Sequence, residues 1–515
     1  MDTQNPKHRI AVIDLGSNTA RLILLSARPG FSYRLIDEIR EVVRLRKGMT
    51  DKSLAENAIK RAFSTLSLFK QFCDSRGVDE IIATATSAVR DAPNGPTFLA
   101  SVEQEIGLTV RVLPGEREAF YGTLGVLNEI PITDANILNI GGGSAQVSEI
   151  RDGRYVTGQS FTLGALALTE RFVKTDPISD SDYTEIETEI RSQLEVIPKN
   201  MGTLPLAGLG GTIRNLATIE AERSDYPLKT LHWFTLTRKE LQKTIRQLRR
   251  LPLAKRERIA GLNTDRADII LPGAMVVFEV MTRLGVKGMQ ISESGLREGL
   301  FYERFLCDQT EPIVSDIREF GVLNLARNYD YDQRHADQVR HLAGQLFDQT
   351  ADLHGYGEEE RELLDAAATL HDLGMVIGYA GHHKHSQTLI ENSGLPGYKP
   401  RETALISLLT RYHRKGKPDA SDYPGLLCQD DEKRLTCLSA LLRTAEYLER
   451  GRNAVVSDVR VMWDETYLRI SLTAESAPDV EIWAAERNAS KLMESVFGLR
   501  VVFDVSPLDR AFDST

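Results

Sequence analysis

The chain has 515 residues, 42% hydrophobic and 26% charged, an ordinary soluble composition whose length exceeds the about 250–300 residues that one core sustains. A formal net charge of -10 argues against a general nucleic-acid binder, yet leaves room for an anionic substrate in a locally basic cleft. The four dispersed cysteines form no CxxC pair, the start lacks a signal-type apolar segment, and no apolar run is long enough to span a bilayer, so a cytoplasmic protein with free thiols and no membrane partner is expected.

Residues 9–25 predict a hairpin whose apolar first strand carries Asp14 near its end, and the alternation over 33–46 extends that sheet. Residues 52–73 have helical spacing, with Leu54, Ile59, Ala62, Phe63, Leu66, Phe69 and Phe72 on one broad face. Short strands at 80–84 and 109–113 and a helix at 116–129 follow, an alternating βαβ pattern. A second lobe begins near Asp134. It contains a hairpin at 136–150, a strand at 155–163, helices at 179–200 and 267–284, and a strand at 204–209. Composition shifts near residues 308–316, and the pattern is then helical to about Glu449, a stretch holding His335, His341, His354, His371, His382, His383, His385 and His413. From Val455 strand alternation returns, with a helix at 484–496 and a final strand at 500–505.

Two stretches have the same shape. Asp14-Leu15-Gly16-Ser17-Asn18-Thr19 in the first lobe falls on Asn139-Ile140-Gly141-Gly142-Gly143-Ser144 in the second. Consecutive glycines let the backbone approach an anion and aim several N–H groups at it, so Gly16, Ser17, Asn18, Gly141, Gly142, Gly143 and Ser144 are candidate phosphate-binding residues. Gly210-Gly211-Thr212, between a strand and a helix, offers a further anion or nucleotide site at a helix N-terminus. Asp14 would reach Mg²⁺ directly or through water, because magnesium prefers oxygen ligands and keeps several waters.

The stretches IAVIDLGSNTARLIL, IIATATSAVRDAPN, GEREAFYGTLGV, NIGGGSAQV, GLGGTIRNLA, RADIILPGAMVV and SESGLREGLFYE resemble the exopolyphosphatase / guanosine pentaphosphate phosphohydrolase (Ppx/GppA) family in family order. The resemblance implies an α/β fold of two actin-like lobes, at 1–132 and 133–308, of the ribonuclease H-like, sugar-kinase and heat-shock ATPase superfamily. It also implies Mg²⁺, with inorganic polyphosphate or guanosine pentaphosphate as substrate. Glu118 matches the family's general base, although a Glu there is also simply favoured by the helix dipole. Arg90, after a strand end, would grip phosphate, as would Gln146. Arg266 and Arg297 are weaker candidates, because arginine is common near helix starts. The family's acidic positions in the second turn are here Asn139 and Gln146; an Asn carbonyl still reaches Mg²⁺ or its waters, but without charge.

The carboxyl-terminal half resembles the family's longer members through ATLHDLG, HHKHSQTLI and RYHRK, and its order of a His, a His-Asp pair and two further His resembles an HD domain. This implies an α-helical HD-type domain at 309–455 and a small α/β tail at 456–515, with homodimer contacts. His335, His371, Asp372, His382 and His413 then form a possible second metal site, in which Glu446 replaces the usual late Asp. Superfamily kinases using ATP, and a sensor that binds polyphosphate with little hydrolysis, are the rival readings.

Overall fold

The computed structural model describes residues 7–49, 51–198 and 204–505, which divide into two compact units. The first takes the chain up to residue 226 with 231–317; the second takes 227–230 and the chain from 318.

In the first unit, β1 (His8–Leu15) is the middle strand of a sheet ordered β3-β2-β1-β4-β5, with β2 (Ala20–Arg28), β3 (Ser32–Glu41), β4 (Glu80–Ala85) and β5 (Val110–Val112). Successive side chains of a strand face opposite sides of its sheet. Ile10, Ala11, Val12 and Ile13 are all at most 1% exposed, so both sides are covered and the run reads as continuously apolar. The parallel partner β4 ends beside Asp14 and Leu15, which pair with Thr84 and Ala85. Carboxyl ends of parallel strands therefore gather Asp14, the Gly16 turn and Thr86–Ser87 at one edge.

The second sheet, ordered β10-β11-β9-β6-β7-β8, repeats the plan with β6 (Ala135–Ile140), β7 (Ala145–Arg151), β8 (Arg154–Phe161), β9 (Leu206–Leu209), β10 (Thr235–Thr237) and β11 (Gly288–Ile291). The repeat is exact in register. Asp14 pairs with Arg21 across the first hairpin and Asn139 with Gln146 across the second. Each turn closes the same way, Gly16 N–H donating to Thr19 O at 3.1 Å and Gly141 N–H to Ser144 O at 3.0 Å.

Several boundaries differ from expectation for local reasons. The first long helix spans Glu56–Ser75 and starts late because Asn94 bonds both the N–H (2.9 Å) and the carbonyl (3.0 Å) of Leu54, holding that segment as loop. Asn263 accepts from Asp265 N at 3.0 Å and caps a 3₁₀ turn, Thr264–Arg266, so the apolar helix begins only at Ile270. The helix expected at 179–200 is Asp180–Leu194, and its last expected residues, 199 and 200, lie outside the described ones. The helices Gly95–Ile106 and Arg238–Arg250 were not foreseen.

In the second unit the residues expected as a tail subdomain pack with the helices. Its helices and a sheet of β12 (Val456–Trp463), β13 (Tyr467–Ala474) and β14 (Arg500–Val505) share one hydrophobic core, in which Leu342, Leu346 and Leu441 lie with Val459, Ile470 and Phe503. The helix Gln333–Gln349 serves the edge strand much as a neighbouring strand would. Gln345 Oε1 accepts from Val459 N at 2.7 Å, Gln349 Oε1 accepts from Val461 N at 2.9 Å, and Gln349 Nε2 donates to Val459 O at 2.8 Å. Those amides satisfy backbone groups that an edge otherwise leaves open. The tail helix expected at 484–496 is two helices, Asp479–Asn488 and Ser490–Phe497, broken at Ala489. Among the described residues, no helix is long and apolar enough to cross a membrane.

Candidate active site

The two glycine turns of the first unit face each other across a cleft with a cavity volume of about 120 Å³. Ser17 and Ser87 share a 2.9 Å hydrogen bond, and a Cβ at Gly143 would collide with both hydroxyls. That approach is why the third glycine of the run is glycine. Gly210, at φ 95, and Gly211 complete the floor, with the Arg266 guanidinium lying where a Gly211 Cβ would be.

Asp14 sits at the end of β1. Burial first, and then the neighbouring Glu118, push its carboxyl up to about 7. Its Oδ1 is buried and has no hydrogen-bond partner among the described residues. A buried carboxylate oxygen with no donor is a costly arrangement that a cation would relieve.

Glu118 lies in the first turn of the helix Gly115–Leu127 and is 5% exposed. Its Oε2 accepts from Arg90 Nη1 at 3.1 Å, and its Oε1 accepts from Ser144 Oγ at 3.3 Å. Burial pushes its pKa up, while Arg90 pulls it back toward the ionised form. Burial makes this carboxylate a stronger proton acceptor than an exposed one, and the Arg90 contact keeps it from simply holding the proton.

Three sequence candidates take different posts. Arg90 does not line the cleft: it holds Glu118 and donates to Leu113 O at 2.9 Å. Gln146 is 1% exposed and stands behind the turn, its Nε2 donating to Ser144 Oγ at 2.9 Å and Ser160 Oγ at 3.2 Å, its Oε1 accepting from Asn139 Nδ2 at 2.9 Å. Thr212 is buried under the helix carrying Gly273 and does not face the cavity. Asp14, Gly16, Ser17, Asn18, Glu118, Asn139, Gly141, Gly142, Gly143, Ser144, Gly210 and Gly211 do line it.

The cleft also holds cations the sequence reading missed or set aside: Arg21, Arg214, Arg266 and Arg297. Burial and then Arg214 pull Arg21 down to about 9; burial and then Arg40 pull Arg266 down to about 10. Arg214 is lowered by burial, whereas Glu298 and Glu38 outweigh burial at Arg297 and hold it above its usual value. Like charges crowded in a buried space repel one another, and a multiply charged anion would relieve that repulsion. The local signals for them are slight: Arg21 stands opposite Asp14 in the hairpin register, and Arg214 lies one turn into the helix after Gly210.

In the second unit, His335, His371, Asp372, His382 and His413 come together. His371 and His335 approach Nε2 to Nε2 at 3.2 Å, and His382 and His413 do the same at 3.2 Å. Glu446 Oε2 lies 3.2 Å from both His335 and His371. The two oxygens of Asp372 divide between the pairs, Oδ1 at 3.1 Å from His382 and 3.8 Å from His413, Oδ2 at 3.8 Å from His371 and 3.9 Å from His335.

Two repeated hairpin lobes closing on a cation-lined cleft define a two-lobed α/β enzyme of the actin-like kind, followed by a helical unit. The chain belongs to the Ppx/GppA phosphatase family: residues 25–307 match the model of that family, and residues 317–482 match the model of Ppx/GppA phosphatase, domain III. It is therefore a phosphohydrolase. It is 25% identical over 514 residues to the guanosine-5'-triphosphate,3'-diphosphate pyrophosphatase of Pseudoalteromonas translucida (strain TAC 125), a match covering 96% of this chain and 98% of that protein. Among solved structures, an exopolyphosphatase from Cytophaga hutchinsonii matches at TM-score 0.54 and 26% identity, over 60% of this chain and 100% of that one. The Aquifex aeolicus member of the Ppx/GppA family matches at TM-score 0.52 and 27% identity, over 59% and 100%.

Proposed function

We propose that the cleft cleaves the terminal phosphoanhydride bond of inorganic polyphosphate, releasing orthophosphate, with guanosine pentaphosphate as second substrate. The observation that carries this reading is the pairing of two phosphate-type turns with a buried carboxylate, Glu118, and four cleft arginines. The terminal phosphoryl oxygens rest against the turns of Gly16–Asn18 and Gly141–Ser144, and the arginines take the charge of the phosphates behind it. Glu118 accepts the proton of the attacking water as the new P–O bond forms, and the bridging P–O bond breaks to leave the shortened chain as an anion. Arg90 and Ser144 keep the Glu118 carboxyl aimed. The donor set fits Mg²⁺: Asp14, with its unpartnered Oδ1, and Asn139 would hold it. When bound, the ion supplies positive charge to the phosphoryl oxygens.

The names of the relatives at 25% and 26% identity support both substrates. The helical unit is read as HD-type, a reading supported by the order and convergence of its histidines. A second reading, a polyphosphate sensor with little hydrolysis, is favoured by one observation: the amides of Asn139 and Gln146 bond each other where two carboxylates would otherwise stand. Orthophosphate release from long polyphosphate, guanosine pentaphosphate and ATP, with and without Mg²⁺ and without any acceptor, tests the assignment. Mg²⁺-dependent release from polyphosphate is expected. Tight binding without release favours the sensor, and turnover only with an acceptor favours a kinase.

A further inference from the structure

We propose that Glu38 is a built-in anion that holds Arg21 and Arg297 in place of a phosphate of the substrate's leaving chain, and that polyphosphate must displace it to bind. This deepens the proposed function and rests on its placement of the chain along the cleft arginines.

The position of Glu38 follows from strand register. Asp14 pairs with Arg21 between β1 and β2, and Arg21 pairs with Arg40 between β2 and β3. Residues directly opposite one another across strands share a face, so one row of side chains runs from Asp14 through Arg21 to Arg40. Glu38 stands two residues before Arg40 on the same strand, and therefore on that face too. From there its Oε1 accepts from Arg297 Nη1 at 2.7 Å and lies 3.5 Å from Arg21 Nη1. Arg297 arrives on the first turn of the helix Leu296–Phe305, so one carboxylate oxygen joins cations from two separate elements.

A guanidinium meets a carboxylate and a phosphate with the same fork of donors, so the contacts that hold Glu38 would hold a phosphate as well. Of the three side chains, Glu38 is the one free to leave. It is 41% exposed, against 16% for Arg21 and 7% for Arg297, and it rises from β3, the edge strand of its sheet. Burial raises its pKa, but Arg297 and then Arg21 outweigh burial and hold the carboxyl below its usual value, so it is a standing negative charge at neutral pH. A polyphosphate brings many charges where Glu38 brings one, which lets the chain win the two arginines.

Displacing Glu38 costs every ligand that reaches Arg21 and Arg297, and costs nothing for one that stops at the glycine turns. Orthophosphate is one phosphate long and rests at the turns; a chain extends past them. Glu38 therefore loosens the grip on chains selectively. It also takes the two arginines back as each phosphate moves on, which favours release or advance of the shortened chain over its retention.

The test titrates long polyphosphate and orthophosphate separately into the full-length chain by calorimetry, with chelator present to withhold Mg²⁺ and slow hydrolysis. Glu38→Gln, which keeps the shape of the side chain, should bind polyphosphate about tenfold tighter than wild type and orthophosphate within about twofold of it. Glu41→Gln removes one charge from an exposed position of the same strand and should change neither. With Mg²⁺ present, the gain in Glu38→Gln should reappear as a lower KM for polyphosphate. Unchanged or weaker polyphosphate binding in Glu38→Gln overturns the proposal, as does an equal gain for orthophosphate or an equal gain in Glu41→Gln. Binding is read here without turnover. A wild type that binds polyphosphate yet releases no orthophosphate with Mg²⁺ therefore defeats the hydrolytic reading alone, whereas absent binding in both wild type and Glu38→Gln defeats the two together.

Discussion

Replacing Asp14 with Asn should make the protein more stable and catalytically dead at once. The carboxyl of Asp14 is pushed from its ordinary 3.8 to about 7 in the fold. An acid whose folded pKa is raised contributes no penalty below its unfolded pKa; stability is lost as pH rises from there through the folded value. At about 1.4 kcal/mol per pH unit, the penalty grows from nothing below pH 3.8 to an upper bound of about 4 kcal/mol above pH 7. An Asn has no charge to bury, so at pH 8 in chelator Asp14→Asn should unfold later than wild type by a margin that shrinks toward pH 4. Mg²⁺ should raise the melting midpoint of wild type, because a cation on Oδ1 offsets the buried charge, and should leave Asp14→Asn where it is. Scanning fluorimetry at pH 4, 6 and 8, with Mg²⁺ or chelator, measures both effects. Equal Mg²⁺ shifts in the two proteins, or an Asp14→Asn variant less stable than wild type at pH 8 in chelator, would refute the reasoning.

Glu118→Gln keeps shape and the Ser144 contact but removes the proton acceptor; kcat should fall about 10²–10⁴-fold with KM nearly unchanged, and steady-state kinetics showing less than a tenfold loss would remove Glu118 as the base. Asn139→Asp with Gln146→Glu should lower the Mg²⁺ concentration for half-maximal rate about tenfold, the equivalent of one added charged contact; an unchanged Mg²⁺ titration would mean the two amides are neutral drift. Glu129, bonded by Tyr302 at 3.0 Å and Tyr33 at 3.4 Å, is pushed up by burial to about 7, so it costs stability as pH rises from its unfolded value through 7. Glu129→Gln should flatten that fall and add up to about 3 kcal/mol at pH 8, read by urea denaturation; an identical pH profile in both proteins would contradict it.

Much of the cleft was legible because its chemistry is written locally. One glycine turn after an apolar strand could be an ordinary hairpin, but the two here are spaced so that Asp14 and Asn139, then Arg21 and Gln146, occupy equivalent register positions. Residues whose job depends on distant partners were harder to read. Arg21 looks like the polar half of an alternating strand, and only the fold shows that its polar side faces a cleft rather than water. Gln146, beside the second glycine turn, and Arg90, after a strand end, were read as phosphate ligands; in the fold they bond Ser144 and Glu118. The glutamines at 345 and 349 carry no sequence signal for satisfying a strand edge, which is why the tail looked separable from the helices. The histidines were found in order, but the splitting of Asp372 between two pairs is a fact of three dimensions.

The central claim is that water, activated by Glu118, cuts the terminal anhydride in this cleft. Orthophosphate released from polyphosphate in ¹⁸O-water, with Mg²⁺, should carry one solvent oxygen in wild type and form at a rate reduced at least a hundredfold in Glu118→Gln. Unlabelled orthophosphate, or label arriving as fast without Glu118, would contradict the account.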